Sequence, residues 1–424
     1  MQKYFDYLFS LERTGIKYDL SNITRLMKHL GEPHKHFRTI HIAGTNGKGA
    51  TASFIASILI ESGYKTGLYT SPHIIKFNER ISVNNRNISD KYIASFIEEN
   101  RDIIRKVKPS FFELTTAMAF KYFSDRKIQV AVIETGMGGR LDSTNIVESD
   151  IAVVTKIAFD HQKYLGNTLK KIASEKIGIV KKDSLVVVSD NTAELRDFFR
   201  KKIPDSRLFM LDEKVKIQSK DGATYLKFPD SNITVRYHKS LPGKFQIINA
   251  SAAALAYVLY MKKHGIDINI KFIENGIRNI KLNTNYRCRL EIIKQKNRTF
   301  ILDVSHNPDA VRNTLNELDV KPDVIIFAMM KDKDYKAALK ELLKHCSNLI
   351  LTGIRYPRAV SPYVLCSSLP QTDYNTKNIT VAASLEETKS LLNKLNYRNM
   401  LFIGSFFLIS EVISTFGLNK YLKR

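Results

Sequence analysis

The sequence predicts an α/β protein of two domains: an N-terminal domain whose parallel sheet carries a small antiparallel insertion, and a C-terminal Rossmann-like α/β domain. Three observations lead there. Short β-type runs, such as residues 39–43 and 128–133, alternate with helical patterns, as a parallel sheet covered by helices requires. Between residues 207 and 238 that texture breaks into short runs separated by turn residues. After a polar stretch at 280–286 the alternation restarts and continues to the end of the chain. A length of 424 residues suits two or three domains. The boundaries fall at residues 1–280, a linker at 281–286, and residues 287–424.

In chain order, residues 39–43 form a strand that breaks into Gly44-Thr45-Asn46-Gly47-Lys48-Gly49 and then an apolar helix at 50–61. Residues 65–69 and 128–133 are further buried strands, with helical patterns at 89–106 and 112–124 between them. Strands at 151–155 and 185–188 follow. Runs at 215–219, 224–228 and 233–237, separated by Asp221-Gly222 and Asp230-Ser231-Asn232, make the insertion. A long helix near 245–264 returns the chain to the main body. Beyond the linker, strands at 299–303, 324–328, 349–352, 379–382 and 400–403 alternate with helices near 309–318, 335–345, 385–395 and 406–416.

Composition excludes several classes. With 44% apolar residues, 23 Phe and 19 Tyr, the chain fills sizeable cores and is not disordered. Its longest apolar runs, 324–330 and 401–409, fall short of the roughly 18 to 20 residues of a membrane span. Residues 1–10 carry Lys3 and Asp6 and do not read as a signal peptide, so a cytoplasmic protein without a membrane partner is expected. Cys288, Cys346 and Cys366 lack CxxC spacing, which argues against a disulfide framework and a zinc site. The net charge of +24 is spread through the chain with only short clusters, Lys170-Lys171 and Arg200-Lys201-Lys202. A solvated lysine-rich surface, or an aid to anionic small substrates, is therefore expected ahead of nucleic acid.

The glycine loop suits a polyphosphate: glycines let backbone N–H groups face an anion at a helix N-terminus, and Lys48 supplies a point charge. The match to the Walker pattern is incomplete, because Ile42 stands at the first glycine position and Gly49 follows the lysine. Residues 130–133 put Glu134 at the carboxyl end of a buried strand, where it is placed to hold Mg²⁺, and Thr135-Gly136-Met137-Gly138-Gly139-Arg140 follows as a backbone-exposing loop. Asp160-His161 lies just past the strand at 151–155; metal ligation, phosphate binding and a buried hydrogen bond all remain open for the histidine. Lys176 sits in the apolar helical segment 172–180, where a lysine ordinarily snorkels to solvent.

Taken in order, several segments together resemble the folylpolyglutamate synthase/dihydrofolate synthase family of Mur ligases. They are the His41 to Gly49 run, Tyr69-Thr70-Ser71-Pro72-His73, Phe77-Asn78-Glu79-Arg80-Ile81, the Glu134 to Asn145 run, Asp160-His161, Glu175-Lys176-Ile177-Gly178, Leu241-Pro242-Gly243-Lys244, Arg289-Leu290-Glu291, Asp303 to Pro308, Met330 to Asp334, Pro357-Arg358-Ala359 and Gly404-Ser405. The resemblance covers nearly the whole chain. It implies a P-loop ATPase-like N-terminal domain and an ATP-dependent amide ligase, in which ATP phosphorylates the substrate carboxylate and the amino group of L-glutamate attacks the acyl phosphate. It further implies that Thr45, Asn46, Gly47, Lys48 and Gly49 bind the ATP phosphates, with Asn249, Arg289, Asp303 and His306 completing an interdomain nucleotide site. Ser71, Glu134 and His161 match Mg²⁺ ligands. Lys176 matches a lysine that is carbamylated and holds a second Mg²⁺, with Mn²⁺ as an alternative metal. Ser71, Phe112, Glu113, Arg140 and Leu141 lie near the pterin-bearing substrate, and Lys48, Glu134, His161 and Lys176 form the catalytic set.

The acceptors implied are dihydropteroate and reduced folates, handled by a monomer. The segment 15–30 occupies the region that in bifunctional members helps form a dihydropteroate pocket. Two positions depart from the family pattern: Ala50 where a serine is usual, with Thr51 beside it, and Ser305 where glycine or alanine is common. Two alternatives compete, a Mur-type ligase acting on a cell-wall precursor and a P-loop nucleotide-binding protein without ligase chemistry. The Ser71-Pro72-His73 and Asn78-Glu79-Arg80 segments argue against the first, and a second domain bearing Asp303 and His306 argues against the other.

Overall fold

The computed structural model describes residues 2–11, 19–189, 191–370 and 376–422. The chain forms two compact units: Met1–Ala158, Gln162–Ser240 and Ile247–Tyr286 in the first, Phe159–His161, Leu241–Gln246 and Arg287–Arg424 in the second. Among the described residues no helix is long and apolar enough to cross a membrane.

The first unit is built on an eight-stranded sheet of β1 (Arg38–Ala43), β2 (Thr66–Tyr69), β3 (Ile81–Val83), β4 (Arg86–Asn87), β5 (Val130–Glu134), β6 (Ile151–Val154), β7 (Leu185–Val188) and β8 (Leu208–Met210), in the order β4-β3-β2-β5-β1-β6-β7-β8. β1 lies parallel between β5 and β6, and the only antiparallel pairs are β2 with β3 and β3 with β4. The central strands are continuous apolar runs because both faces are covered. The helix Lys48–Glu61 that follows β1 buries every residue from Ala50 to Leu59, so it is apolar all round. The helix Ile270–Arg278 packs so closely on it that a Cβ on Gly276 would fall 2.5 Å from the Ile58 backbone. The expected insertion is present as β9 (Lys216–Lys220), β10 (Ala223–Phe228) and β11 (Ile233–His238), a three-stranded antiparallel sheet.

Several features differ from the sequence expectation. The helical pattern at 89–106 divides into Asp90–Glu99 and Arg101–Val107 at Asn100, whose side-chain amide bonds the Phe96 carbonyl (2.8 Å). β8 escapes the pattern because an edge strand of three residues carries too little periodicity. The stretch read as a pattern-free linker contains the helix Ile280–Thr284. Its Asn283 amide reaches Ser57 Oγ (3.1 Å) and Glu61 Oε1 (2.7 Å), so a polar residue supplies the contact that an apolar stripe ordinarily would. Lys176 does not reach solvent: it is 3% exposed. Of the segment 15–30, residues 15–18 lie outside the described residues, and the helix Ser21–His29 follows.

The second unit holds a six-stranded sheet of β12 (Glu291–Gln295), β13 (Arg298–Asp303), β14 (Val324–Phe327), β15 (Asn348–Thr352), β16 (Asn378–Ala382) and β17 (Asn399–Ile403), ordered β12-β13-β17-β14-β15-β16. All pairs are parallel except β12 with β13, a hairpin that sequence rhythm missed. Because β17 inserts between β13 and β14, the carboxyl end of β13, where Asp303 sits, borders a reversal of strand order, the place where open α/β sheets gather ligands.

Candidate active site

In the first unit the site grows from the turn between β1 and the helix Lys48–Glu61. Glycine is required there for close approach: a Cβ on Gly44 would fall 1.8 Å from Thr155 Oγ1, and one on Gly47 would fall 2.5 Å from Asn249 Oδ1. The amides of Thr45 and Asn46 both donate to the Lys156 carbonyl (2.9 and 3.2 Å), while Thr45 Oγ1 donates to the Ala158 carbonyl (3.0 Å). These two residues brace the loop. The amides that open the helix have no intrahelical acceptor, and no side chain caps them, so with Lys48 they form an anion-binding end. Lys48 Nζ folds back to the Thr45 carbonyl at 3.4 Å. Thr51 Oγ1, beside the departure at Ala50, is buried without a hydrogen-bond partner among the described residues.

Glu134 ends β5 beside this loop and is 4% exposed. Its Oε2 accepts the Ser71 amide (3.0 Å), and a Cβ on Gly49 would come within 3.3 Å of it. Ser71, Glu134 and the phosphate-loop glycine are therefore neighbours. Among the described residues no three His, Cys, Asp or Glu side chains gather as a metal cage. One carboxylate next to a serine fits Mg²⁺, which takes one or two protein carboxylates and completes its shell with phosphate and water. Lys176 comes from the helix Leu169–Ile177 and donates to the Gly44 carbonyl at 2.6 Å, bringing its amino group to the same loop.

The substrate candidates divide. Phe112 stacks on Tyr69 (centroids 5.9 Å apart, planes at 29°), and a Cβ on Gly136 would strike its ring at 2.6 Å, so ring and glycine loop are fitted to each other. Arg140 bonds Glu175 through its side chain (3.0 Å) and its amide (2.7 Å), and the half-buried Leu141 follows in the turn. Glu113 is a structural acid: its Oε2 takes the Ser110 amide (2.7 Å) and the Asn22 side chain (3.3 Å), closing a capping box at the start of the helix Phe111–Asp125.

The buried Asp142 was not singled out by sequence, although its carboxylate shapes the glycine loop by accepting the Met137 amide (2.8 Å), the Thr144 amide (3.0 Å) and the Thr144 hydroxyl (2.6 Å). Burial pushes its carboxyl above the usual range, against the pull of those bonds. Because that hydroxyl donates to Asp142, it accepts from His41 Nε2 (2.8 Å). Burial lowers the His41 pKa to about 3, so the ring is neutral.

In the second unit, Asp303 is 1% exposed and fully engaged: Oδ2 takes the Leu290 amide (2.9 Å), and Oδ1 takes the Ser305 amide (2.9 Å) and the Thr314 hydroxyl (3.2 Å). Ser305 adds a bond from its own hydroxyl to Thr314 (2.9 Å) and so fits its place. The Arg289 guanidinium lies 4.8 Å over the Phe406 ring, and His306 packs on the same ring (5.7 Å). His306 Nδ1 donates to the Val304 carbonyl (3.1 Å), which leaves Nε2 as an acceptor; burial, and then the Lys333 charge, hold its pKa near 3.

Lys333 is the residue that sequence reasoning passed over, although it stands within the Met330 to Asp334 run. Its ammonium reaches both Asp160 oxygens (2.8 and 3.0 Å) and His161 Nε2 (3.0 Å). An ammonium only donates, so His161 presents Nε2 as a lone pair. Both ion-pair partners are about 90% buried, with side-chain exposures of 9% and 10%. Burial opposes ionisation of Asp160, but the Lys333 charge and its hydrogen bonds outweigh it and hold the carboxyl well below the usual range.

Lys333→Met is therefore expected to destabilise the protein by about 3 kcal/mol at neutral pH, since it strands a buried carboxylate. The sign follows from the lowered carboxyl: the pair stabilises fully above the unfolded-state value near 4 and loses that contribution as pH falls through the folded value. Urea unfolding of both proteins should show a gap that holds from about pH 7 to about pH 4 and narrows as pH falls further. A gap independent of pH would mean that packing, not charge, is what the lysine supplies.

A model of the Mur ligase middle domain matches residues 42–257, and one of the Mur ligase glutamate ligase domain matches residues 288–405. The chain is 30% identical to the dihydrofolate synthase/folylpolyglutamate synthase of Bacillus subtilis (strain 168), with 94% of this chain and 95% of that one covered. It is similar in structure to Mycobacterium tuberculosis folylpolyglutamate synthase complexed with ADP and AMPPCP (TM-score 0.82, 26% identity, 94% and 96% of the two chains covered). It is equally similar to E. coli FolC in complex with DHPP and ADP (TM-score 0.82, 25% identity, 98% of each chain covered).

Proposed function

The chain belongs to the Mur ligase family, in its folylpolyglutamate synthase/dihydrofolate synthase branch, as an ATP-dependent glutamate ligase, and from that premise we propose how its residues divide the work. The comparisons favour this reading over a cell-wall ligase and over a nucleotide-binding protein without ligase chemistry. A carboxylate oxygen of the acceptor attacks the γ-phosphorus of ATP and ADP departs. The glutamate amine then attacks the acyl carbon, phosphate leaves, the amide bond forms and the amine gives up its proton. Both steps bring anions together, so the protein must align them and offset their charge.

The observation that carries the assignment is the uncapped helix N-terminus with Lys48, set beside the buried Glu134 and its bond to Ser71. Gly47, Lys48 and Gly49 hold the phosphates, Thr45 and Asn46 keep the loop in shape, and Asn249 lines Gly47. Arg289 and His306 on Phe406, shaped by Asp303, form the second unit's contribution to the nucleotide. Ser71 and Glu134 hold Mg²⁺, which neutralises phosphate charge when bound. His161 would add an imidazole ligand through Nε2, and a carbamylated Lys176 would provide a carboxylate for a second ion. Phe112, with Arg140 and Leu141, borders the pterin-bearing acceptor, while Glu113 fixes the helix that presents Phe112. The enzyme acts as a monomer in the cytoplasm on small molecules, without nucleic-acid or membrane partners.

One active site serves both dihydropteroate and reduced folates, because each reaction joins a carboxylate to the same amine. ADP release is expected from purified protein with glutamate and either acceptor, and from neither acceptor without glutamate. Release with a reduced folate and none with dihydropteroate at saturating ATP would strike out the dihydrofolate synthase activity; the opposite pattern would strike out chain extension.

A further inference from the structure

The segment after β2 carries Ser71, yet little apolar burial holds it: Pro72 and Lys76 are exposed, and Ile75 is 42% exposed. Its backbone is instead held by hydrogen bonds from the Phe77-Asn78-Glu79-Arg80 block and from Glu134. The Thr70 amide donates to the Arg80 carbonyl (3.0 Å) and the Ser71 amide to Glu134 Oε2 (3.0 Å). The next three bonds all end on one carboxylate. The Ile74 amide donates to Glu79 Oε2 (2.8 Å), the Ile75 amide to Oε1 (3.1 Å) and the Lys76 amide to Oε1 (2.8 Å). Pro72 has no amide hydrogen to give.

The block itself is anchored on both sides. Phe77 is buried, and the Asn78 amide bonds the Ile88 carbonyl and Asp90 Oδ1, both at 2.7 Å. Arg80 is 7% exposed, lies 5.1 Å over the Phe111 ring, and donates from Nε to His73 Nδ1 (2.9 Å). Burial, and then the Arg80 charge, keep His73 neutral with a pKa of about 3, so its ring nitrogen accepts. A fixed block thus presents one carboxylate to three consecutive amides, and charge-assisted bonds of this kind are stronger than neutral ones.

We propose that Glu79 is a positioning residue for the ligase reaction: by gathering the amides of Ile74, Ile75 and Lys76 it holds the segment on the path that brings Ser71 against Glu134. The proposal rests on the reading of Ser71 and Glu134 as the Mg²⁺ pair. Glu79 touches neither substrate nor metal in this role. Without its carboxylate the amides of Ile74, Ile75 and Lys76 lose their shared acceptor, and C-terminal to Ser71 the segment keeps the Arg80 bond to His73 and the Glu79 amide's bond to the Lys76 carbonyl (3.0 Å).

The test pairs amide hydrogen exchange, followed by mass spectrometry on peptides spanning residues 70–80, with Mg²⁺ titration of ADP release. Glu79→Ala should speed exchange in that peptide while the helix Lys48–Glu61 stays protected, and should raise the Mg²⁺ needed for half-maximal activity about 10-fold with a smaller change in kcat. Glu79→Gln should fall between, because its amide oxygen still accepts while its NH₂ group faces a donor. Wild-type exchange or a wild-type Mg²⁺ titration in Glu79→Ala overturns the proposal. If that variant does not fold, the same wild-type result in Glu79→Gln overturns it. Glu134→Gln separates the two readings. If it leaves the Mg²⁺ titration unchanged, the metal pair itself is wrong and the proposal falls with it; if it shifts the titration while Glu79→Ala does not, only the positioning role fails.

Discussion

Lys48→Ala is expected to lower the rate of glutamate-dependent ADP release by about 10²-fold or more, with the fold intact. The ammonium stands at the uncapped start of the helix Lys48–Glu61 and folds over its own loop to the Thr45 carbonyl; in the proposed role it meets a phosphoryl group in transfer. Its loss removes a charge whose effect is greatest where negative charge builds up, so kcat and kcat/KM should fall together. The helix itself is secured by the burial of Ala50 to Leu59 and by the close approach of Gly276, neither of which involves Lys48. Thermal unfolding should therefore change little. A folded variant that releases ADP at the wild-type rate would remove Lys48 from the phosphate site.

Lys176→Ala should also lose activity by about 10²-fold or more, and small carboxylates or bicarbonate should restore part of it. A lysine 3% exposed with its amino group on the Gly44 carbonyl places an ammonium on the phosphate loop, where in the proposed role it would repel a second Mg²⁺. In its neutral form the amine attacks the carbon of CO₂, a N–C bond forms and a proton is released, leaving an anionic carbamate. The carbamate nitrogen keeps one hydrogen, so the bond to Gly44 survives the change of sign. ¹³C NMR of protein equilibrated with labelled bicarbonate should show one carbamate resonance that is absent from the variant. No such resonance, together with no rescue by carboxylates, would leave Lys176 as a brace for the phosphate loop alone.

Much of this site was legible in the sequence because its chemistry is local. Residues 44–49 are contiguous, and the strand before them and the apolar helix after them give the loop its place; Glu134 is marked in the same way by the strand it ends. Lys333 and Asp142 were not singled out because nothing near them in sequence states their purpose: Lys333 meets Asp160 and His161 more than 170 residues away, and Asp142 acts through backbone amides of its own loop. Glu113, read for its place near the substrate, also caps its helix through the Ser110 amide and takes the Asn22 side chain, a contact 91 residues away that no local pattern states.

By itself the sequence determined the alternation of strands and helices, the antiparallel insertion, the phosphate loop and the family, all properties of short runs whose periodicity and turn residues act over a few positions. The tertiary structure alone decided that Lys176 is buried on Gly44 and that Lys333 holds Asp160 and His161. The reason is physical. Whether a charged side chain meets water, a carbonyl or a counter-charge depends on which distant segments pack around it, and no local pattern of hydrophobicity records that choice.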